Sequence, residues 1–252
     1  MNGLKRDQVR RLLEENRDHN CEGVGRDGIC VRIEAIAELP SRFGDFHIAA
    51  FSNTRDRKEH VAIIRGDVLG GAHVPVRMHS ECLTGDTIGS LRCDCRDQLE
   101  SALKMIGAMD QGIVLYLRQE GRGIGLVNKI RAYSLQDDGL DTVQANEALG
   151  FQDDERDYAV AAHMLMSLRI ESIRLITNNP RKMRQLSDLG IKISARIPHI
   201  MQPNEHNRFY LETKAAKFGH WIDLRGRERL PEQNDPPLVE GMRSDEVSDL
   251  DD

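Results

Sequence analysis

Hydrophobic residues recur at two spacings along the chain, and the change between them falls near residue 96. Before it, apolar and polar residues alternate in short runs bounded by polar or glycine turns, a pattern that predicts strands. After it, helical stripes such as Leu99, Leu103 and Ile106 alternate with short buried runs. This arrangement predicts an α/β fold, with a mixed sheet flanked by helices and a β-rich N-terminal part. The predicted strands are 46–52, 60–68, 73–80, 112–119, 172–177 and 191–197, and the predicted helices are 5–18, 126–136, 155–168 and 180–188, with one more after residue 96.

The two ends of the chain differ from its middle. A short helix over 5–18 is followed by a glycine-containing loop, so residues 1–32 are predicted to form an N-terminal appendage to a main domain over 33–225. Residues 226–252 are predicted to be an acidic disordered tail, because 231–252 carry eight acidic residues and a single arginine.

Composition indicates a soluble globular protein, with 39% hydrophobic residues, 30% charged residues and a formal net charge of −6. No run approaches the roughly 18 consecutive apolar residues of a membrane span. The start of the chain also lacks the apolar segment of a secretory signal. We therefore expect a cytoplasmic protein with neither a membrane nor a nucleic acid as partner. In a reducing compartment, a close group of cysteines favours metal binding or catalysis over disulfides.

Three of the five cysteines, Cys82, Cys93 and Cys95, lie close together in "HSECLTGDTIGSLRCDC", residues 79–95. Thiolates are good zinc ligands, although free cysteines are also buried as small hydrophobic residues. Adjacent positions of a strand alternate faces, so Cys93 and Cys95 can share an ion only where the segment bends. Three protein ligands leave one position for water, as in a catalytic zinc site. His79 could close the site as a fourth ligand or serve as a hydrogen-bonding group.

The segment "LYLRQEGRGIGLVNKIRAY", residues 115–133, has the pattern of a strand, a glycine turn and a helix. Four basic residues flank the backbone amides at the helix start: Arg118, Arg122, Lys129 and Arg131. This environment suits a phosphate, and an ordinary tight turn is the alternative interpretation.

Two further turns, 151–160 and 177–186, carry charged residues at predicted helix starts. Helix capping alone would explain both. Together with the cysteines and the glycine turn, they would form a nucleotide triphosphate site at the carboxyl edge of the sheet.

These motifs resemble the GTP cyclohydrolase II family from about residue 38 to 222, in the family's order and spacing. They are "RMHSECLTGDTIGSLRCDC", "LRQEGRGIGLVNKIRAYSLQDDGLDTVQANEALGF", "DDERDY" and "LITNNPRKM". The resemblance implies that the main domain hydrolyses GTP to 2,5-diamino-6-(5-phospho-D-ribosylamino)pyrimidin-4(3H)-one, formate and diphosphate, the first step of riboflavin biosynthesis. It also implies a homodimer, one Zn²⁺ per subunit held by Cys82, Cys93 and Cys95, and Mg²⁺ on the triphosphate.

The resemblance also assigns further site residues. Asp154 and Arg156 match the family's proton acceptor and its nucleophile at the α-phosphorus, and Tyr133 matches the tyrosine linked to formate release. Because a guanidinium has a pKa above about 12, it stays protonated at neutral pH. We therefore expect Arg156 to act mainly by its charge. The residues implied to bind GTP are Arg77, Met78, His79, Ser80, Glu81, Gln98, Glu120, Gly121, Arg122, Thr142, Thr177 and Lys182.

Two rival functions are compatible with these motifs. A paralogue from another pathway would stop at the formamide intermediate or use another substrate. A non-enzymatic zinc module that binds nucleotides would need a fourth protein ligand on its metal and would not need Asp154, Arg156 and Tyr133 together.

Overall fold

The computed structural model describes residues 3–19, 21–152, 154–201 and 221. Within these residues, seven strands form a single sheet in the order β1-β2-β3-β5-β4-β6-β7. The strands are β1 (Val31–Ser41), β2 (Gly44–Asn53), β3 (His60–Arg65), β4 (Val74–Ser80), β5 (Gly112–Leu117), β6 (Ile173–Ile176) and β7 (Ile193–Ile197). The predicted acidic tail over 226–252 lies outside the described residues.

The sheet is mixed, as predicted. Strands β1, β2, β3 and β5 pair antiparallel, whereas β5, β4, β6 and β7 pair parallel. Strand β1 was not among the strands predicted from the sequence. Its pattern is weak because only Val31 and Ile33 are buried along it, a register shift follows Ile33, and Pro40 lies near its end.

Six α-helices lie within the described residues: α1 (Arg6–Arg17), α2 (Cys95–Gly107), α3 (Gly125–Asp137), α4 (Thr142–Ala148), α5 (Ala159–Ser167) and α6 (Pro180–Asp188). The seven-residue α4 was not predicted. Helix α5 begins four residues later than predicted, since residues 154–158 form a loop. None of the helices in the described part of the chain is long and apolar enough to cross a bilayer.

The core lies on the two faces of the sheet. On one face, α1, α5 and α6 pack against apolar residues of the central strands, including Val76 and Met78. On the other face, α2 packs through Ala102 and Ile106 against Val114 and Ile176. The central strands β4 and β5 are therefore covered on both faces, which explains the almost continuous hydrophobic sequence of β5.

The N-terminal residues pack onto the same core. Leu4 and Leu12 are buried in the cluster that contains α5 and α6. A short hairpin follows α1, closed by backbone hydrogen bonds between Val24 and Ile29. The division of the chain at residue 32 stays a prediction.

Candidate active site

The crevice at the carboxyl ends of β4, β5 and β6 gathers most of the polar motifs. These strands are mutually parallel, so their ends lie on one edge of the sheet. The connection from β4 to β5 runs through α2 on one face, and the connection from β5 to β6 runs through α5 on the other. A change of face of this kind opens a crevice in which α/β proteins bind ligands.

Three cysteines meet at this edge, and we call Cys82, Cys93 and Cys95 the thiol cluster. Their sulfurs lie within 4.8 Å of one another, and those of Cys82 and Cys93 are 3.8 Å apart. Cys82 follows β4, Cys93 lies in the loop before α2, and Cys95 is the first residue of α2. The loop turns both sulfurs of the Cys93–Cys95 pair toward Cys82, which is the bend that a shared ion requires.

Gly85 fits against the thiol cluster because it has no side chain. A Cβ there would lie 2.8 Å from the Cys93 sulfur and 3.0 Å from the Cys82 sulfur. The backbone N–H of Gly85 donates to the Cys82 sulfur over 3.3 Å. No fourth cysteine or histidine among the described residues belongs to this group. Three converging thiols in a partly desolvated recess are a donor set that fits zinc.

A buried ion pair borders the thiol cluster. The Lys129 Nζ lies 3.0 Å from the Cys82 sulfur and donates to a Glu120 carboxylate oxygen over 2.8 Å. Burial alone would lower the pKa of Lys129, but the hydrogen bond to Glu120 and the Cys82 charge raise it, so Lys129 is protonated. Hydrogen bonds within the cluster, assisted by Lys129, lower the pKa of the Cys82 thiol. The sequence grouped Lys129 with phosphate ligands, whereas it lies at the thiols.

Glu120 organises the glycine turn. Its carboxylate accepts from the backbone N–H of Leu83 over 2.6 Å and from that of Gly121 over 2.9 Å. Gly121 and Arg122 both have left-handed backbone conformations, with φ of 62° and 58°. A residue with a Cβ is uncommon in this region, so Arg122 is held there by its surroundings. Glu120 thereby connects the turn after β5 to the segment after β4.

Tyr133, on α3, reaches the thiol cluster through Thr84. Its hydroxyl lies 3.3 Å from the Thr84 hydroxyl, which lies 3.6 Å from the Cys82 sulfur. The Arg92 guanidinium stacks on its ring at 5.0 Å. Burial raises the pKa of Tyr133, so its hydroxyl keeps its proton at neutral pH.

Asp86 joins three elements beneath the cluster, a role that the sequence did not reveal. It accepts from the Tyr116 hydroxyl over 2.9 Å and from the Cys82 backbone N–H over 3.0 Å. Its carboxylate also lies 3.0 Å from His79 Nε2. Burial lowers the pKa of His79 although Asp86 opposes the shift. Of the two roles considered for His79, this contact is the hydrogen-bonding one.

Arg77 is buried on the α2 side of β4. Its guanidinium donates to the Gln98 side-chain oxygen over 2.6 Å and to the Ile176 carbonyl over 3.1 Å. Gln98 in turn donates to the Asp94 carboxylate over 2.5 Å. Burial lowers the pKa of Arg77 to about 10, so it carries its charge at neutral pH. The side chain of the neighbouring Met78 is buried in the core on the opposite face, which leaves only its backbone for polar contacts.

Lys182 and Thr177 lie at the end of β6 and the start of α6. The Lys182 Nζ donates to the Met78 carbonyl over 2.9 Å, and the Thr177 hydroxyl accepts from the Asn179 backbone N–H. His199 lies nearby, and both its ring nitrogens are buried with no hydrogen-bond partner among the described residues. Burial, reinforced by the charges of Arg77, His79 and Lys182, lowers its pKa to about 2. No motif in the sequence singles out His199.

Asp154 and Arg156 form a bidentate ion pair in the loop before α5. Nε and Nη2 of Arg156 donate to the two Asp154 oxygens over 2.7 and 2.5 Å. Burial would raise the pKa of Asp154, but the hydrogen bonds and charge of Arg156 lower it. The loop is attached to the glycine turn because the Glu155 N–H donates to the Arg122 carbonyl over 3.0 Å. The helix start expected here lies further on, at Ala159.

The remaining residues implied to bind GTP are more dispersed. Ser80 ends β4, and its hydroxyl is buried without a hydrogen-bond partner among the described residues. Glu81 follows it and lies 3.7 Å from Arg118. Thr142 is the first residue of α4, after the capping residue Asp141.

A family profile described as GTP cyclohydrolase II matches residues 32–198. The chain belongs to the GTP cyclohydrolase II family. A GTP cyclohydrolase-2 of Picrophilus torridus is 58% identical over 184 residues, which cover 73% of this chain and 95% of that protein. The GTP cyclohydrolase-2 of Pseudomonas syringae pv. tomato is 54% identical, over 75% of this chain and 92% of that protein. The predicted family is thereby confirmed, and it is a family of enzymes.

Members of the family also occur as part of longer proteins. The riboflavin biosynthesis protein RibBA of Synechocystis is 57% identical over 194 residues. These residues cover 76% of this chain but only 35% of that protein. Among solved structures, the two-domain 3,4-dihydroxy-2-butanone 4-phosphate synthase RibBX of A. baumannii matches 68% of this chain and 38% of its own. Its TM-score is 0.33 and its identity 13%, too low to bear on the site.

The resemblance assigned no role in the site to Asp86, Gly85 or Lys129, although the sequence indicated Lys129 as a possible phosphate ligand. Each lies inside a matched motif, but its role depends on contacts that form only in the folded chain. Lys129 is 47 positions from Cys82 along the chain, and its partner Glu120 is nine positions away. A buried lysine with an acidic neighbour on a preceding turn is the signal that would have found it.

Proposed function

We propose that this protein converts GTP to 2,5-diamino-6-(5-phospho-D-ribosylamino)pyrimidin-4(3H)-one, formate and diphosphate, the first step of riboflavin biosynthesis. Three hydrolytic events are needed: opening of the imidazole ring at C8, release of formate, and cleavage between the α- and β-phosphates. The observation that carries the proposal is the thiol cluster, which offers three thiols at the carboxyl edge with a tyrosine and an arginine-carboxylate pair nearby.

Cys82, Cys93 and Cys95 would hold the family's Zn²⁺, one per subunit. When bound, the ion supplies a Lewis acid at which water becomes nucleophilic near neutral pH. Three thiolates and Zn²⁺ together carry one negative charge. The buried Lys129, 3.0 Å from the Cys82 sulfur, places a positive charge beside this group and shares it with Glu120. Glu120 holds Lys129 in this position.

Tyr133 would act on the opened ring as a proton donor. Its hydroxyl is held by Thr84 beside the thiol cluster, and burial keeps it protonated. A protonated phenol can donate a hydrogen bond to the oxygen on which charge develops at the former C8. This role supports the complete reaction over one that stops at the formamide.

Arg156 would stabilise the phosphoryl transition state by its charge. The bidentate contact with Asp154 fixes the guanidinium plane and favours its protonated form, which has no electron pair for attack. Asp154, whose pKa is lowered, is then a partner that orients Arg156. Nucleophilic attack by Arg156 would require loss of this arrangement.

The cations of the crevice would receive the triphosphate with its Mg²⁺. Burial lowers the pKa of His199, and the charges of Arg77 and Lys182 lower it further, which supports a positively charged recess. GTP would also contact the other residues implied by the motifs, with Met78 contributing backbone only.

A homodimer is the proposed assembly. Exposed apolar side chains lie on the segment after β4 and on α3, both of which border the thiol cluster. They are Ile88, Leu91, Leu126, Val127 and Ile130. A second copy covering them would remove this apolar surface from water. Sedimentation of the wild type and of an Ile88→Lys/Val127→Glu variant would test the assignment, the variant being expected to sediment as a monomer.

The reaction is tested by incubating zinc-loaded protein with GTP and Mg²⁺ and quantifying formate, diphosphate and the pyrimidine. Equimolar formate and diphosphate support the proposal. Diphosphate without formate would identify a paralogue that stops at the formamide. Absence of both products, with a fully occupied metal site, would favour the non-enzymatic nucleotide-binding module.

A further inference from the structure

A second group of metal-binding side chains lies outside the crevice, and we call His19, Cys21, Cys30 and His163 the N-terminal cluster. One ligand atom from each of the four residues lies within 4.8 Å of the others. The Cys21 sulfur is 3.2 Å from the Cys30 sulfur and 3.1 Å from His163 Nε2. We propose that these four side chains bind a zinc ion that attaches the N-terminal segment to α5.

The distances fit a tetrahedral ion. Zinc bonds of about 2.3 Å to sulfur and about 2.1 Å to nitrogen place neighbouring ligand atoms about 3.3 to 3.8 Å apart. The two separations would each have to open by about half an ångström to reach these values. Four protein ligands leave no position for water, which is the arrangement of a zinc that stabilises a fold.

The hairpin after α1 brings its two cysteines together. Cys21 and Cys30 flank the pair Val24–Ile29, whose backbone groups exchange hydrogen bonds of 2.9 and 3.0 Å. The turn depends on Gly23, which has φ of 79° and whose Cβ would lie 2.1 Å from the Gly28 carbonyl. This local geometry sets two sulfurs side by side, as in a short metal-binding loop.

The two histidines lie beside these sulfurs. His163 Nδ1 lies 3.2 Å from the Ser167 hydroxyl, which donates to the Val31 carbonyl and therefore accepts from the ring. With the proton on Nδ1, the lone pair of His163 Nε2 faces Cys21. Histidines that bind metals are commonly oriented in this way, by a hydrogen bond from the other ring nitrogen. His19 Nε2 is buried without a hydrogen-bond partner among the described residues, and an ion would satisfy it.

Charge also favours an ion here. Cys30 and His163 are 8% and 5% exposed, so a charge at this place must be compensated. Two thiolates, two neutral imidazoles and Zn²⁺ sum to zero. A disulfide between Cys21 and Cys30 would account for the sulfurs, but it would leave both imidazoles facing a weak acceptor.

The ion would fasten the N-terminal segment to the helix that follows the Asp154–Arg156 loop. The hairpin already lies against that helix, because a Cβ at Gly25 would be 3.2 Å from the Ala159 side chain. The family profile begins at residue 32, so three of the four ligands lie outside the matched region. The site can therefore be tested separately from the proposed reaction.

Zinc content of the purified full chain tests the site. The Cys21→Ser/Cys30→Ser variant is expected to lose about one equivalent of zinc per chain relative to the wild type, and to unfold at a lower temperature. A His73→Asn variant is the matched control, because His73 is exposed and has a left-handed backbone that asparagine tolerates. Equal zinc in the double variant and the wild type would overturn the proposal.

A second measurement leaves the N-terminal cluster intact. A Cys82→Ser/Cys93→Ser/Cys95→Ser variant should still bind about one equivalent of zinc, and that ion should disappear when the Cys21 and Cys30 changes are added. Zinc-free triple variant protein would refute the site. Thiol titration in denaturant with chelator and no reductant should find all five cysteines of the wild type free, whereas a Cys21–Cys30 disulfide would leave three.

Discussion

The thiol cluster and the N-terminal cluster use the same kinds of atoms for different ends. The thiol cluster joins three sulfurs at the edge of the sheet, surrounded by Lys129, Glu120 and Tyr133. The N-terminal cluster joins two sulfurs and two imidazoles between a hairpin and α5, beside the apolar core. Three protein ligands bordered by charged groups leave a position for water and suit a catalytic metal. Four protein ligands bordered by apolar groups leave no such position and suit a structural metal that connects two parts of the fold.

The largest expected difference between the clusters is in activity. Cys93→Ser removes one of three ligands, so we expect GTP turnover to fall by about 10³-fold or more, with little change in the melting temperature. The Cys21→Ser/Cys30→Ser variant should have a lower melting temperature than the wild type. At temperatures well below that melting point, it should keep most of its GTP turnover. Formate release and differential scanning calorimetry measure both, and a Cys93→Ser enzyme with wild-type turnover would break the comparison.

Arg156 tests whether the charged surroundings of the thiol cluster act by electrostatics. We expect Arg156→Lys to lower diphosphate release by about 10²-fold, because a lysine keeps the charge and loses the bidentate geometry. Arg10→Lys, an exposed change on α1, is the control and should leave the rate unaltered. A guanylyl adduct on Arg156, detected by mass spectrometry after rapid denaturation, would establish the nucleophilic role and refute ours.

Gly85 tests how closely the thiol cluster is packed. Gly85→Ala places a methyl group against two sulfurs at 2.8 and 3.0 Å, so we expect zinc affinity at this cluster to fall by about 10- to 100-fold. Gly139→Ala is the comparison, since nothing lies within 4 Å of its Cβ position and its φ of 100° costs only stability. Competition with a chromophoric chelator measures the affinity. Unchanged zinc affinity in Gly85→Ala would mean that the segment after β4 can move to accommodate the methyl group.

The smallest effect concerns stability near the crevice as the pH falls. His199 has a folded pKa of about 2, far below the ordinary 6.5, so the folded state binds fewer protons. Its stabilising contribution is complete above pH 6.5 and is lost as the pH falls toward 2. From pH 7.5 to 5.5 the wild type should lose about 1.4 kcal/mol more unfolding free energy than His199→Gln. Urea titrations measure this, and parallel losses would show that His199 is solvated.

Local motifs predicted the thiol cluster, because its three cysteines lie within 14 positions and the two glycines between them permit a bend. The sheet and most helices followed from periodicity. Strand β1 did not, since most of its residues are exposed on both faces. The start of α5 was misplaced because Asp154 and Arg156 pair with each other in a loop, a use of charge that resembles helix capping in the sequence.

The N-terminal cluster could not have been found from the sequence. Cys21 and Cys30 are nine positions apart without a familiar metal-binding pattern, and His163 lies 142 positions beyond Cys21. Only the packing of the hairpin against α5 brings them together. His199 escaped notice for the same reason, because its pKa is lowered first by burial and then by cations of β4 and α6, both of which depend on packing.

The separation between Cys21 and His163 also sets an order of events during synthesis. Chains emerge from the ribosome at about 5–20 residues per second and fold from the N-terminus onward. The cysteines around β4 and α2 are all available once residue 95 has emerged, whereas Cys21 and Cys30 must wait for α5. Since His163 follows Cys21 by 142 positions, Cys21 waits about 7 to 28 seconds for this ligand on those rates, although its sulfur is the first to be made.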